Sequence, residues 1–184
     1  MTSAAVYGTG SWGTAYASVL ADAGTSVTMW GRRQEVVDQI NAGTNEDYLP
    51  ELRLPGTIRA TTDPFEAAAG ADIVVLAVPS QTLRANLEVW GSALPSSAAI
   101  VSLMKGVELG TTRRMSEVIS EVGGVEPERV VIVSGPNLAR EIAVKQPAAS
   151  VVASSSPAMA ELGAADCAEP YVRPHSGSDV VGTA

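Results

Sequence analysis

Short apolar runs alternate along this chain with longer stretches whose apolar positions recur every three or four residues. "AAVYG" ends at a glycine and predicts a first strand. Trp12 to Ala23 follows with Ala15, Val19 and Leu20 on one side, the pattern of a helix lying on a sheet. "GTSVTMWG" predicts a second strand, and "RRQEVVDQINAG" a helix closing at Gly43. "TNEDYLPELRLPGT" has two prolines and little periodicity, so it predicts a long loop. In "DPFEAAAG", Asp63 before Pro64 predicts a helix cap with proline at the first helical position. "ADIVVLAVPS" holds six consecutive apolar residues, Ile73 to Val78, which predicts a strand buried on both faces.

The remainder continues the alternation. "QTLRANLEVWGSAL" predicts a helix, "SAAIVSLMKG" a strand, and "TTRRMSEVISEVG" a helix with Met115, Val118 and Ile119 on one side. "RVVIVSGPN", "LAREIAVK" and "PAASVVAS" predict strand, short helix and strand. "SPAMAELGAADCA" predicts the last helix and "YVRPHS" an edge strand. No internal repeat is visible. The implied fold class is α/β: a Rossmann-type open, mostly parallel sheet with helices on both faces, joined by right-handed crossovers. Ligands in such folds bind beyond the carboxyl ends of the strands.

Composition narrows the partners. With 46% apolar but only 4% aromatic residues, the core must be built from Val, Ala, Leu and Ile. The net charge of −8, with no basic block longer than "RR", argues against a nucleic-acid surface and leaves room for a local basic pocket. The single cysteine, Cys167, allows no internal disulfide and reads as a small apolar residue on a helix in a reducing compartment. The start "MTSAAVYGTG" lacks a basic n-region, and no apolar run reaches 18 residues. Neither a signal peptide nor a membrane span is expected.

The candidate chemistry begins at Gly8-Thr9-Gly10-Ser11-Trp12-Gly13, a full G-x-G-x-x-G between strand and helix. Gly8 would make the tight turn, Gly10 would let a pyrophosphate approach the backbone, and Gly13 would let the helix pack closely. A P-loop would need Lys-Ser/Thr after the glycines, and none is present. Where a typical NAD site or methyltransferase carries an acidic residue, this chain has Gly31-Arg32-Arg33. Guanidiniums cannot accept a bond from a ribose 2′-hydroxyl but pair well with a 2′-phosphate. NADP(H) is therefore the favoured cofactor, with NAD(H) the alternative.

Other strand ends add polar groups. Pro79 and Ser80 follow the buried strand, either as a stiff loop beside a cofactor with Ser80 as a helix cap, or as an ordinary turn. Lys105 follows an apolar run and would stand in the crevice near a phosphate or carbonyl. Ser134-Gly135-Pro136-Asn137 makes a stiff turn able to hold an oxyanion, with Arg140 and Glu141 one turn further on. The solitary His175 is poor support for a catalytic base.

"GTGSWGTA", "LAVPSQ", "SLMKGVE" and "SGPNLAREIA" in this order, with "NEDYLPELRLPGTI" between, make the chain resemble bacterial NAD(P)-dependent glycerol-3-phosphate dehydrogenase from residue 4 to about 182. The resemblance implies reversible reduction of dihydroxyacetone phosphate to sn-glycerol 3-phosphate for phospholipid synthesis, by a cytoplasmic homodimer. It implies cofactor contacts at Ser11, Trp12, Arg32, Arg33, Lys105 and Ala139, and substrate contacts at Lys105, Gly135 and Asn137, a position often held by Ser or Thr in that family.

In the family, "DVVG" continues through a lysine, the assigned proton acceptor, into a helical C-terminal domain. Here that lysine would lie beyond Ala184, so no catalytic residue is assigned within the chain. Residues 1–184 are expected to form one dinucleotide-binding domain, with about 171–184 as a tail. Alone, it is expected to bind cofactor weakly, turn over little and self-associate. The competing readings are a nucleotide-binding module without turnover and a dehydrogenase for another small hydroxy acid.

Overall fold

The Val- and Ile-rich runs form strands because β-branched side chains pack well on a pleated surface. In the computed structural model, which describes residues 2–183, these are β1 (Ser3–Tyr7), β2 (Ser26–Trp30), β3 (Ile58–Thr61), β4 (Ile73–Leu76), β5 (Ala99–Ser102), β6 (Val130–Ser134), β7 (Ala148–Ala153) and β8 (Val172–Gly177). They make one sheet in the order β3-β2-β1-β4-β5-β6-β7-β8. β1 to β6 pair in parallel throughout. β7 is antiparallel to β6, and β8 follows β7. The Rossmann-type expectation holds, with direction reversed in the last two strands.

The helices are α1 (Ser11–Asp22), α2 (Gln34–Asn41), α3 (Pro64–Ala68), α4 (Leu83–Trp90), α5 (Met115–Gly123), α6 (Ala139–Ala143), α7 (Pro157–Asp166) and α8 (Val180–Thr183). Central strands alternate between two cores because successive side chains point to opposite faces. Val6, Val75, Val101 and Val133 share one core with Val19 and Leu20 of α1 and Ile40 of α2. Tyr7, Leu76, Ile100 and Ile132 share the other with Leu87 of α4 and Met115, Val118 and Ile119 of α5. All four residues of β4 are buried, as its unbroken apolar run requires.

Local signals hold at several ends. Asp63 accepts hydrogen bonds from the N–H groups of Phe65 and Glu66 and so caps α3. Gly43, at φ +86°, donates its N–H to the Ile40 carbonyl and closes α2. Other boundaries differ. α2 starts at Gln34, because Arg33 takes an extended backbone. Ser80 opens a single 3-10 turn, and no side chain caps α4. β3 and α8 were not expected from the pattern. Residues 44–57 form the expected loop, yet Leu49, Leu52 and Leu54 are buried under it.

Candidate functional site

The strand order places β1 between β2 and β4, so the connections leaving β1 and β4 diverge to opposite sides. A crevice opens at such a reversal. Here it is a cleft of about 440 Å³. Its wall runs along Gly8, Thr9 and Gly10 after β1, Trp30 at the end of β2 and Gly31 to Arg33 after it, Ala77 to Pro79 after β4, and Leu103 and Met104 after β5, with Trp12 and Tyr48 completing it.

The glycine turn takes the shape its spacing predicts. Gly8 sits at φ +128°, and a Cβ there would stand 2.5 Å from the Ala77 carbonyl oxygen. A Cβ on Gly13 would collide with the Gly8 carbonyl, so helix and strand are in backbone contact. Gly10 has no heavy atom within 4 Å of where a Cβ would stand. Gly10 is also the N-cap of α1, which has no side-chain cap and no acidic residue in its first turn. The uncapped N–H groups and the helix dipole leave this end suited to an anion. Ser11 does not line the cleft; its hydroxyl donates to the Tyr48 carbonyl at 3.2 Å.

The two arginines have different surroundings. Both line the cleft. Arg33 donates to Asp47 at 2.8 Å, and its guanidinium lies 5.6 Å from the centre of the Tyr48 ring. Hydrogen bonds from Gln39 and then Arg33 hold the Asp47 carboxyl below its ordinary range. Arg32 is exposed and has no ion pair among the described residues.

The sequence-predicted substrate residues gather beside the β5 end of the cleft. Lys105 directly follows the lining residue Met104, and its ammonium donates to the Gly135 carbonyl at 2.9 Å. Gly135 is at φ +142°, where a Cβ would stand 2.9 Å from the Ala149 carbonyl oxygen. The Asn137 Oδ1 accepts from Ser150 at 3.2 Å, while its Nδ2 is buried with no partner among the described residues. Ala139 begins α6 and packs into the α1-side core without lining the cleft. Arg140 lies apart, in a small pocket with Leu49, Leu52 and Val144.

Sequence reasoning missed the residues that hold these pieces in place. Asn45, fully buried, donates to the Thr9 carbonyl at 3.0 Å and to the Thr14 hydroxyl at 2.8 Å. Gln81 donates to the Val107 carbonyl and accepts from the Leu109 N–H, both at 2.9 Å. Arg84 makes two 2.9 Å bonds to Glu108. Arg84 first, then Thr111, lowers the Glu108 carboxyl to about 2. The signal available beforehand was polar residues inside "TNEDY" and "KGVE", with nothing to say which contacts they make. Elsewhere, Cys167 is buried and its thiol is pushed up to about 11 by burial, and His175 is exposed on β8. Among the described residues no helix is long and apolar enough to cross a membrane.

Comparison with known proteins bears on this geometry. The family described as NAD-dependent glycerol-3-phosphate dehydrogenase N-terminus matches residues 3–160. A glycerol-3-phosphate dehydrogenase [NAD(P)+] of Streptomyces avermitilis is 58% identical over 180 residues, which cover 97% of this chain and 54% of that protein. One from Mycobacterium tuberculosis is 56% identical, with the same coverage. The crystal structure of glycerol-3-phosphate dehydrogenase from Coxiella burnetii superposes with a TM-score of 0.91 at 30% identity, covering 98% of this chain and 55% of that one. A UDP-D-ManNAc dehydrogenase from Pyrococcus horikoshii, at 19% identity, covers 97% of this chain and 47% of that one with a TM-score of 0.75, sharing the fold. The chain spans about half the length of the curated relatives it matches.

Proposed function

Because this chain belongs to the NAD-dependent glycerol-3-phosphate dehydrogenase family, we propose that the cleft is a dinucleotide site and that residues 1–184 act as the cofactor-binding unit of an enzyme interconverting dihydroxyacetone phosphate and sn-glycerol 3-phosphate. The observation that carries this reading is the open Gly10 backbone at the uncapped N-terminus of α1. The residues present fit the group. Gly8, Gly10, Ser11, Trp12 and Gly13 form the turn and helix start that would take the pyrophosphate, and Arg32 would take a 2′-phosphate. Ala77, Val78, Leu103 and Met104 offer apolar walls for flat rings.

When bound, the dinucleotide supplies or accepts a hydride at its nicotinamide ring. The Lys105 ammonium and the Asn137 amide are donors suited to oxygens of a phosphorylated three-carbon substrate, and Gly135 keeps them close together. In this reading no residue of 1–184 takes the alcohol proton; that step belongs to the lysine which the resemblance puts past Ala184. The homodimer and the cytoplasmic location rest on the same resemblance. The two competing readings, a binding module and another hydroxy-acid dehydrogenase, have less support, since close relatives bear the glycerol-3-phosphate name.

Two measurements on this chain test the proposal. Calorimetric titration is expected to give binding of NADPH, tighter than of NADH; no heat with either at millimolar concentration overturns the dinucleotide reading. NADPH oxidation with dihydroxyacetone phosphate is expected to run at least about 10²-fold below the rate of a full-length relative, the usual loss with an acid–base group. A rate equal to the relative's would refute the assignment of the proton step.

A further inference from the structure

The turn Gly8-Thr9-Gly10 carries the backbone that the proposed dinucleotide site depends on, yet its conformation is fixed from outside the glycine motif. The Thr9 carbonyl receives two donors: the Asn45 amide at 3.0 Å and the Thr14 hydroxyl at 3.3 Å. The Asn45 amide also donates to the Thr14 hydroxyl at 2.8 Å. The three groups close a ring. The assignment of the Asn45 side chain follows from it, since a carbonyl accepts only, and the NH₂ must therefore face Thr9. Asn45 and Thr14 are both fully buried.

A trans peptide unit is planar, with its C=O and N–H pointing in opposite directions. The Thr9 carbonyl and the Gly10 N–H belong to one such unit, and the chain has no cis bond among the described residues. Drawing the Thr9 carbonyl toward Asn45 therefore turns the Gly10 N–H away from Asn45. Glycine on one side of this peptide permits the opposite orientation, in which a carbonyl oxygen would replace the N–H facing an incoming phosphate. The bonds from Asn45 and Thr14 oppose that flip.

We propose that Asn45 is a positioning residue for the cofactor: by holding the Thr9 carbonyl it sets the 9–10 peptide with its N–H available to a pyrophosphate. This rests on the dinucleotide reading of the cleft. It also makes the loop of residues 44–57 part of the binding machinery, although most of that loop never lines the cleft.

The test uses the whole chain, unaltered and as Asn45→Ala, titrated with NADPH, NADH and adenosine 2′-monophosphate. The last carries a 2′-phosphate and no pyrophosphate. Asn45→Ala is expected to weaken both dinucleotides at least tenfold while the fragment stays within twofold. Equal weakening of all three marks a merely structural role and overturns the proposal, as does a change under twofold for the dinucleotides. If Asn45→Ala does not fold, Thr14→Val decides. It removes one donor to Thr9 and is expected to weaken the dinucleotides at least threefold with the fragment unmoved; a smaller loss overturns the proposal. Failure of the unaltered chain to bind either dinucleotide instead defeats the underlying reading, and this inference with it.

Discussion

Arg32 and Arg33 are adjacent and identical in type, and both line the cleft, yet among the described residues only Arg33 carries an ion pair. Arg33 is engaged by Asp47 and Tyr48, so it fastens the loop of residues 44–57 to the end of β2. Arg32 has no such partner among the described residues. Arg32→Ala is therefore expected to weaken NADPH by at least about tenfold, the worth of a charge-assisted contact, while NADH changes less than twofold. Arg33→Ala is expected to weaken both cofactors by one small common factor. Titration of both variants with both cofactors decides it; the reverse pattern would exchange the two roles. The arginine pair was legible in the sequence because it stands where an acidic residue is usual. Its division of labour was not, because Asp47 is distant in the pattern and reaches Arg33 only through the folded loop. Asn45 was hidden for the same reason.

Among the elements, those with a strong internal period were legible and those defined by neighbours were not. β4 and α5 announced themselves by an unbroken apolar run and by Met115, Val118 and Ile119. β3 did not: Ile58-Arg-Ala-Thr61 is short and mixed, and it is a strand because β2 offers it a parallel edge. The polar connection after β5 was legible only as the place of Lys105. Gln81 and the Arg84–Glu108 pair pin it to α4 and the turn before it. That pair predicts a pH dependence. The Glu108 carboxyl is held at about 2 in the fold, below the ordinary value near 4.5. The bound, charged form thus stabilises the fold above about 4.5, and this is lost as pH falls toward 2. Melting temperatures of the parent and of Glu108→Gln are expected to differ at pH 7 and converge between about 4.5 and 2. A gap that does not narrow would show the pair to be idle.

For the molecule as a whole, strand–helix alternation implied a mostly parallel sheet with ligands beyond its strand ends, whereas the order that sets β1 between β2 and β4, and so opens the cleft there, came only with the fold. Nor did the alternation give the direction of β7 and β8, since a strand's sequence pattern is the same read along either sense of the sheet. Leu138, Val144 and Val151 are exposed around α6 and β7. Exposed apolar groups favour association where they join into one patch. Light scattering on this chain is expected to show mass rising with concentration despite the net charge of −8, and a constant monomer mass up to high concentration would count against it.

The reversal of β7 and β8 also sets a path length. Because β8 opposes β1 to β6 in direction, its carboxyl end, and α8 after it, lie at the end of the strands opposite the cleft. A six-residue strand such as β8 is about 20 Å long. Any polypeptide running on from α8 must cover at least that span to reach the cofactor side, and as a helix rising 1.5 Å per residue it would need no fewer than about 13 residues to do so. A rigid helical graft joined to residue 183 and shorter than that would be held on the far side, out of reach of Lys105.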